Sequence, residues 1–277
     1  MALINAITRA SEDPIIPQYA GERKLDYSKL ELIPDPSLRS VLKSVFDNTQ
    51  YIPWHEIMSS LIAGINSLRA KHPQKKFYVH NNSYKFKSDL LIICMIWPYI
   101  KDIVIDVIDL QYLPAKASDV LFIDDFIVSG CNICSHIDEF CSSGRKDVNY
   151  FIVVAFKPQE FVFPLDDIDI EIYAQDRIQG IKVNRRTIRQ LHINALGDGN
   201  PDNSQNELLL STIYPFYTDH KISSAVFNIP YVYHYGSVGE QDLGCMITYP
   251  PDESIKTTIW ERYFKDLIKE PTLYNYD

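Results

Sequence analysis

Apolar residues along this chain fall into two kinds of run. One recurs at three- and four-residue intervals. Leu38, Val41, Leu42, Val45 and Phe46 follow Pro36 and Ser37 in this way, and Ile57, Met58, Leu61, Ile62, Ile65 and Leu68 form a stronger stripe, so the spacing predicts helices there, the second from about Pro53 to Ala70. The other kind is short, unbroken or interrupted only by single acids, and it predicts strands at Lys76 to His80, Ile103 to Ile108, Val120 to Ile123, Tyr150 to Phe156 and Ile168 to Tyr173. Between strands, Ser88 to Ile100 and Asn132 to Cys141 read as helices, with Ser88 placed as N-cap and Asp89 in the first turn, where a carboxylate meets the positive end of the helix dipole.

Strands separated by helices of this length imply right-handed crossovers and a parallel α/β sheet, whose ligands sit at the carboxyl ends of the strands. The polar loops after Asn81 and Asp124 then share one edge. The expected organisation is N-terminal covering helices over residues 1–72, an α/β core over 73–178 and a C-terminal α+β extension over 179–277 packed on that core. The extension carries an aromatic-rich run from Ile213 to Tyr235 and a docking helix near Thr257 to Lys269, with Ile259, Trp260, Tyr263, Phe264, Leu267 and Ile268 on its stripe.

Composition narrows the partners. The chain has 277 residues, 46% hydrophobic and 23% charged, with no internal repeat, which fits a globular protein. A net charge of -9 opposes general binding to a phosphate backbone. Lys182, Arg185, Arg186 and Arg189 nevertheless share one helical face by spacing, and that face is either solvated or meets an anionic partner such as nucleic acid, a nucleotide or an acidic protein surface. The longest apolar run, Leu90 to Ile100, contains Pro98 and falls short of the roughly 20 residues a spanning helix needs, and no basic leader precedes an apolar stretch at the start. A cytoplasmic protein without a membrane anchor is expected, and five scattered cysteines read as reduced thiols.

The chemistry concentrates at Val120 to Gly130. Four apolar residues run into Asp124 and Asp125, and a short turn through Ser129 and Gly130 leads into a helix. Turn amides and a helix N-terminus attract phosphate, while carboxylates accept hydrogen bonds from vicinal hydroxyls, so the pattern suits a phosphorylated sugar. Cys131, Cys134, His136 and Cys141 invite a zinc reading, but on one helix Cys134 and Cys141 face the core and cannot converge with the others, so buried thiols account for them better and no zinc is expected. The acidic loop from Gly197 to Asn203 fails the calcium pattern, because Asn203 stands where glycine is required.

The segment Asp124-Asp125-Phe126-Ile127-Val128-Ser129-Gly130 resembles the phosphoribosyl-pyrophosphate signature of type I phosphoribosyltransferases, and Asn82-Ser83-Tyr84-Lys85-Phe86-Lys87-Ser88-Asp89-Leu90-Leu91 resembles the pyrophosphate loop and following helix of their hypoxanthine-guanine members. The likeness spans residues 76 to 175 and implies a phosphoribosyltransferase-like core. It implies that Asp124 and Asp125 hold the ribose hydroxyls directly or through Mg²⁺, and that Val128, Ser129, Gly130, Cys131 and Asn132 wrap the 5′-phosphate. Asn81, Asn82, Ser83 and Lys85 would face the pyrophosphate, and Lys157 would contact the base. Val128 and Asn132 depart from the family pattern, which weakens acid-base help from that loop, and only Leu110 to Asp119 stands where active members carry a long lid. Asp219-His220-Lys221-Ile222-Ser223-Ser224 resembles a His-Lys segment of phosphoribosyltransferase-like proteins proposed to act in bacterial defence systems, and His220 and Lys221 could supply positive charge to a diphosphate. Two functions follow: an enzyme transferring a phosphoribosyl group to a nitrogen nucleophile, or a catalytically inactive nucleotide-sensing or effector module with protein partners.

Overall fold

The computed structural model describes residues 2–12, 27–32, 36–81, 88–128, 130–142, 144–145, 147–163, 165, 168–182, 212–213, 216–218 and 259–267. Its helices are α1 (Ala2–Glu12), α2 (Pro36–Asp47), α3 (Trp54–Lys71), α4 (Ser88–Ile100) and α5 (Cys131–Ser142). Its strands are β1 (Gln50–Ile52), β2 (Phe77–His80), β3 (Val104–Ile108), β4 (Asp119–Phe126), β5 (Asn149–Pro158), β6 (Ile170–Ile178), β7 (Ile181–Lys182), β8 (Thr212–Ile213) and β9 (Phe216–Thr218). The chain forms two compact units, one of Met1–Ile16, His55–Arg177 and Asp252–Asp277, the other of Pro17–Trp54 and Ile178–Pro251.

The first unit is built on a five-stranded sheet in the order β3-β2-β4-β5-β6. Pairing is parallel between β2 and β3, β2 and β4, and β4 and β5. The chain steps outward from β2 to β3 and then turns back past β2 to β4, which is the doubly wound order with a reversal beside β2. Because α4 and α5 follow crossovers in opposite directions, right-handedness sends them to opposite faces. On the α5 face, Val120 and Phe122 of β4 and Tyr150, Ile152 and Val154 of β5 pack with Ile133, Ile137 and Phe140. On the other face α3 lies very close to the sheet: a Cβ at Gly64 would stand 3.1 Å from Val153 Cγ1 and 3.3 Å from the Tyr173 carbonyl oxygen. Helix α1 rests on α4, where Trp97 Nε1 donates to Thr8 Oγ1 at 3.0 Å and Ala6, Ile7 and Ala10 are buried.

The connection from β3 to β4 is ten residues, 109–118. It crosses the α5 face and contributes Leu110, Leu113 and Ala117 to that core, opening with a 3₁₀ turn, Leu110–Tyr112, capped by the Asp109 carboxylate. Arg145 fastens it from below. Nη1 donates to the Leu113 and Pro114 carbonyls at 3.2 and 2.9 Å, and Nη2 to that of Ala117 at 2.9 Å.

Several expected boundaries move. Strand β4 runs to Phe126 rather than Ile123, because β5 continues beside it, pairing Asp124 with Val154 and Phe126 with Phe156. That pairing overrides the poor strand preference of aspartate, and the two acids lie inside the strand instead of beyond it. Strand β5 likewise extends to Pro158, β6 occupies Ile170–Ile178 rather than Ile168 to Tyr173, and Ser88 is the first residue of α4. Near the C-terminal end of the chain, the part of the expected docking helix that is described contains a π-helical turn, Trp260–Phe264, with Ile259 and Phe264 buried.

In the second unit β1 pairs in parallel with β9 and β7 antiparallel with β8. Helix α2 carries an exposed Lys43–Asp47 ion pair at 2.6 Å. The loop at 197–203 and most of the aromatic run at 213–235 lie outside the described residues. No helix among the described residues is long and apolar enough to cross a membrane.

Candidate functional site

Strand order reverses between β2 and β4, and the crevice outside the carboxyl ends of two such strands is the usual ligand position in sheets of this kind. Tyr78 pairs with Val120 and Val79 with Leu121, so β2 ends at His80 while β4 continues through Asp124, Asp125 and Phe126. Alternation along β4 decides where the acids point. Asp124 follows Val120 and Phe122 toward the α5 face and is partly exposed, whereas Asp125 follows Leu121 and Ile123 to the opposite face and is wholly buried. Asp124 Oδ1 accepts from the Asp125 amide at 2.9 Å, and Asp125 Oδ1 accepts from the Phe126 amide at 2.8 Å. Sequence reasoning treated the two carboxylates as one pair, but the pleat assigns them to different sides.

The end of β2 divides in the same way. His80 lies on the α5 face, its ring 4.9 Å from those of both Phe122 and His136. Sequence reasoning passed over His80 because nothing in its spacing marks it. Asn81 is anchored by its backbone, whose N–H donates to the Ile108 carbonyl at 2.9 Å. Its side chain is wholly buried, and neither Nδ2 nor Oδ1 has a hydrogen-bond partner.

Gly130 takes a left-handed φ of 73°, a conformation that suits glycine, and its carbonyl accepts from Cys134 N at 2.9 Å as α5 begins. Val128 is half-buried before the turn, Cys131 is the first helical residue, and Asn132 is exposed in the first turn. Lys157, on β5, forms an ion pair with Asp176 of β6, so its charge is already engaged. Ser129, Asn82, Ser83, Lys85, His220, Lys221, Arg185, Arg186 and Arg189 lie outside the described residues, and Lys182 is described only as part of β7.

Cys94 and Cys134 are buried and Cys141 is half-buried with its sulfur 3.7 Å from Tyr150 Oη; burial pushes the Cys94 thiol well above its ordinary range. No three His, Cys, Asp or Glu side chains among the described residues converge on a point that could hold a metal. Asp124 and Asp125 are hard oxygen donors of the kind Mg²⁺ takes, and Mg²⁺ commonly completes its shell with phosphate oxygens and water.

A second polar cluster lies around the start of β6. Glu171 Oε2 meets Lys71 Nζ at 2.9 Å, His72 Nε2 at 3.0 Å and Tyr173 Oη at 2.6 Å. Burial pushes the Glu171 carboxyl up, but hydrogen bonds from His72, Tyr173 and Lys71 outweigh it and hold the group at about 2. At the amino end of β4, Asp119 is held by Lys75, Ser118 and Asn149. Both clusters tie neighbouring elements together, away from the carboxyl end of the sheet.

No protein-family model and no curated protein matches this chain. Among solved structures it is similar to a hypothetical protein from Neisseria gonorrhoeae with bound ppGpp, at 11% identity over 46% of this chain and 85% of that one, with a TM-score of 0.35. It is also similar to a hypoxanthine-guanine phosphoribosyltransferase from Leishmania tarentolae in complex with GMP, at 12% identity over 45% and 80%, TM-score 0.31. A purine phosphoribosyltransferase from Pyrococcus horikoshii aligns at 18% identity over 49% and 99%, TM-score 0.26. The class, a doubly wound parallel α/β unit with a reversal of strand order between β2 and β4, rests on strand order and register.

Proposed function

We propose that the first unit binds a phosphorylated ribose, phosphoribosyl pyrophosphate or a related ribose phosphate with Mg²⁺, in the crevice between β2 and β4. The observation that carries this reading is the meeting, at the reversal of strand order, of an acid-bearing strand and a glycine turn that opens a helix. The N–H groups at the start of α5 suit the 5′-phosphate. Asp124 and Asp125 hold the ribose from its two sides, and the loop beginning at Asn81 borders the pyrophosphate. Mg²⁺, when bound, would offset charge building on departing pyrophosphate. If the protein transfers the phosphoribosyl group, a nitrogen nucleophile adds at the anomeric carbon, and the chain's own part is to hold the ribose and exclude competing orientations.

One observation favours a second reading, a nucleotide-sensing or effector module without turnover. The β3–β4 connection, which would have to cover a reacting centre, is built into the core and fastened by Arg145, and Lys157 is occupied by Asp176. Site closure normally keeps water from a reactive sugar cation. The resemblance of the His220–Lys221 segment supports a role for such a module in a bacterial defence system with protein partners, in the cytoplasm, and the stripe of Lys182, Arg185, Arg186 and Arg189 would serve an anionic one.

The test is a thermal-shift titration of wild type and Asp125→Asn with phosphoribosyl pyrophosphate and Mg²⁺, followed by pyrophosphate release with a pool of bases. At a ligand concentration a hundredfold above Kd the wild type gains about 2.7 kcal/mol, and Asp125→Asn does not. Release by wild type alone supports the transferase, and saturable binding without release supports the module. A wild type that shows no shift refutes both.

A further inference from the structure

The side chain of Asn81 is wholly enclosed, yet its carboxamide makes no hydrogen bond. A bare buried amide is costly, and an apolar residue of the same size would remove the cost. Its backbone is fixed by the Ile108 carbonyl, so the chain holds the amide at one place, the end of β2 at the reversal of strand order. Strand alternation puts His80 on the α5 face and Asn81 on the other, and it puts Asp124 on the α5 face and Asp125 on the other. Carrying the β2–β4 register forward brings Asn81 beside Ile123, diagonal to Asp125. Of the three enclosed polar side chains at this end of β2 and β4, His80 faces α5, while Asn81 and Asp125, both wholly buried, share the other side.

We infer that Asn81, with Asp125, reads the hydroxyl groups of the ligand, so that the crevice selects a ribose phosphate over its 2-deoxy counterpart. This rests on the ribose-phosphate reading above and sharpens it. A carboxamide donates and accepts, whereas an ionised carboxylate only accepts. A phosphate oxygen could take a bond from Asn81 Nδ2, but it would leave Oδ1 bare and bring negative charge against Asp125. A hydroxyl fits both neighbours: it donates to Asp125 and accepts from Asn81 Nδ2, and a vicinal second hydroxyl donates to Asn81 Oδ1. The Asn81 amide thus belongs to the sugar, and the pyrophosphate is left to the residues that follow it. Since both groups are shut from solvent without ligand, admission of the sugar uncovers them, and binding is coupled to a local rearrangement.

The experiment uses the full chain as wild type, Asn81→Leu and Asn81→Ala, titrated with ribose 5-phosphate and with 2-deoxyribose 5-phosphate in MgCl₂, alongside urea unfolding without ligand. Wild type should prefer ribose 5-phosphate by roughly ten- to a hundredfold, the range expected when a buried polar site loses its hydroxyl partner. In Asn81→Leu that preference should shrink severalfold, to what Asp125 alone supplies, while the unliganded unfolding midpoint stays level or rises, and Asn81→Ala should lose as much of the preference. A lower midpoint for Asn81→Leu would show that the amide serves the fold through an enclosed water, and an undiminished preference in either folded variant would equally overturn the inference. A wild type that binds both sugars alike overturns it alone; a wild type that binds neither overturns the ribose-phosphate reading and this inference with it.

Discussion

Arg145→Met keeps an unbranched side chain that can lie against Phe140, over whose ring the guanidinium sits at 5.4 Å, but it deletes three N–H···O bonds to the β3–β4 connection. Hydrogen bonds from a charged donor contribute about 1.5–3 kcal/mol each when buried. Two of these three are half-buried and one is exposed, so the lower end applies to two and less to the third, and the loss is about 3 kcal/mol. For a chain of this size each kcal/mol moves the melting midpoint by about 2–4 °C, which sets an expected drop of about 6–12 °C. Arg145→Lys separates charge from geometry, since a single ammonium cannot span three carbonyls and should recover only part of the loss. Circular-dichroism melts give the global effect. Hydrogen exchange gives the local one, because the Leu113 and Ala117 amides, bonded to the Leu110 and Pro114 carbonyls, should exchange faster in the variant. A variant that matches wild type in both midpoint and exchange would refute the view that this connection is fastened, and with it the main support for a site without closure.

Three further outcomes are expected. The depressed carboxyl of Glu171, about 2 when folded against an ordinary 4.5, contributes stability that is present above pH 5 and is lost as pH falls from there toward 2; in urea titrations across that range Glu171→Gln should flatten the slope, and an unchanged slope would remove Glu171 from the account. Gly64→Ala gains about 1 kcal/mol of helix propensity but drives a methyl into Val153 and the fixed Tyr173 carbonyl, so a net loss of about 1 kcal/mol is expected in thermal melts, with Gly64→Val worse, and a stabilised Gly64→Ala would contradict the close approach of α3. Pulsed alkylation of the native protein, read by mass spectrometry, should label Cys141 before Cys94 and Cys134; early labelling of Cys94 would contradict its burial.

Much of the first unit was legible in the pattern of residues. Apolar runs marked β2, β4 and β5 because those strands are covered on both faces, the edge strand β3 was legible although Ile105 is exposed, and the helical stripes marked α2 and α3 because one side of each carries the apolar residues. What was hidden depended on neighbours distant in sequence. The extension of β4 through two aspartates is imposed by β5, and no local preference would announce it. The opposite facing of Asp124 and Asp125 follows only once they are known to be pleated strand rather than loop. His80, the orphan amide of Asn81 and the pairing of Lys157 with Asp176 are products of register. The short β3–β4 connection was legible as a length, but its attachment through Arg145, 31 residues beyond Pro114, was not.

The contact between α1 and α4 also orders events during synthesis. Thr8 and Trp97 are 89 residues apart, so α1 leaves the ribosome long before the surface it covers has been made. At translation rates of about 5–20 residues per second, its apolar side, with Ala6, Ile7 and Ala10, waits roughly 4–18 s for a partner. During that interval its apolar residues are uncovered and, at 11 residues, it is too short to hold a helix alone, so it is open to chaperones or to a neighbouring chain, and a polar substitution at Ile7 would act first on the yield of folded protein and only then on the stability of what has folded.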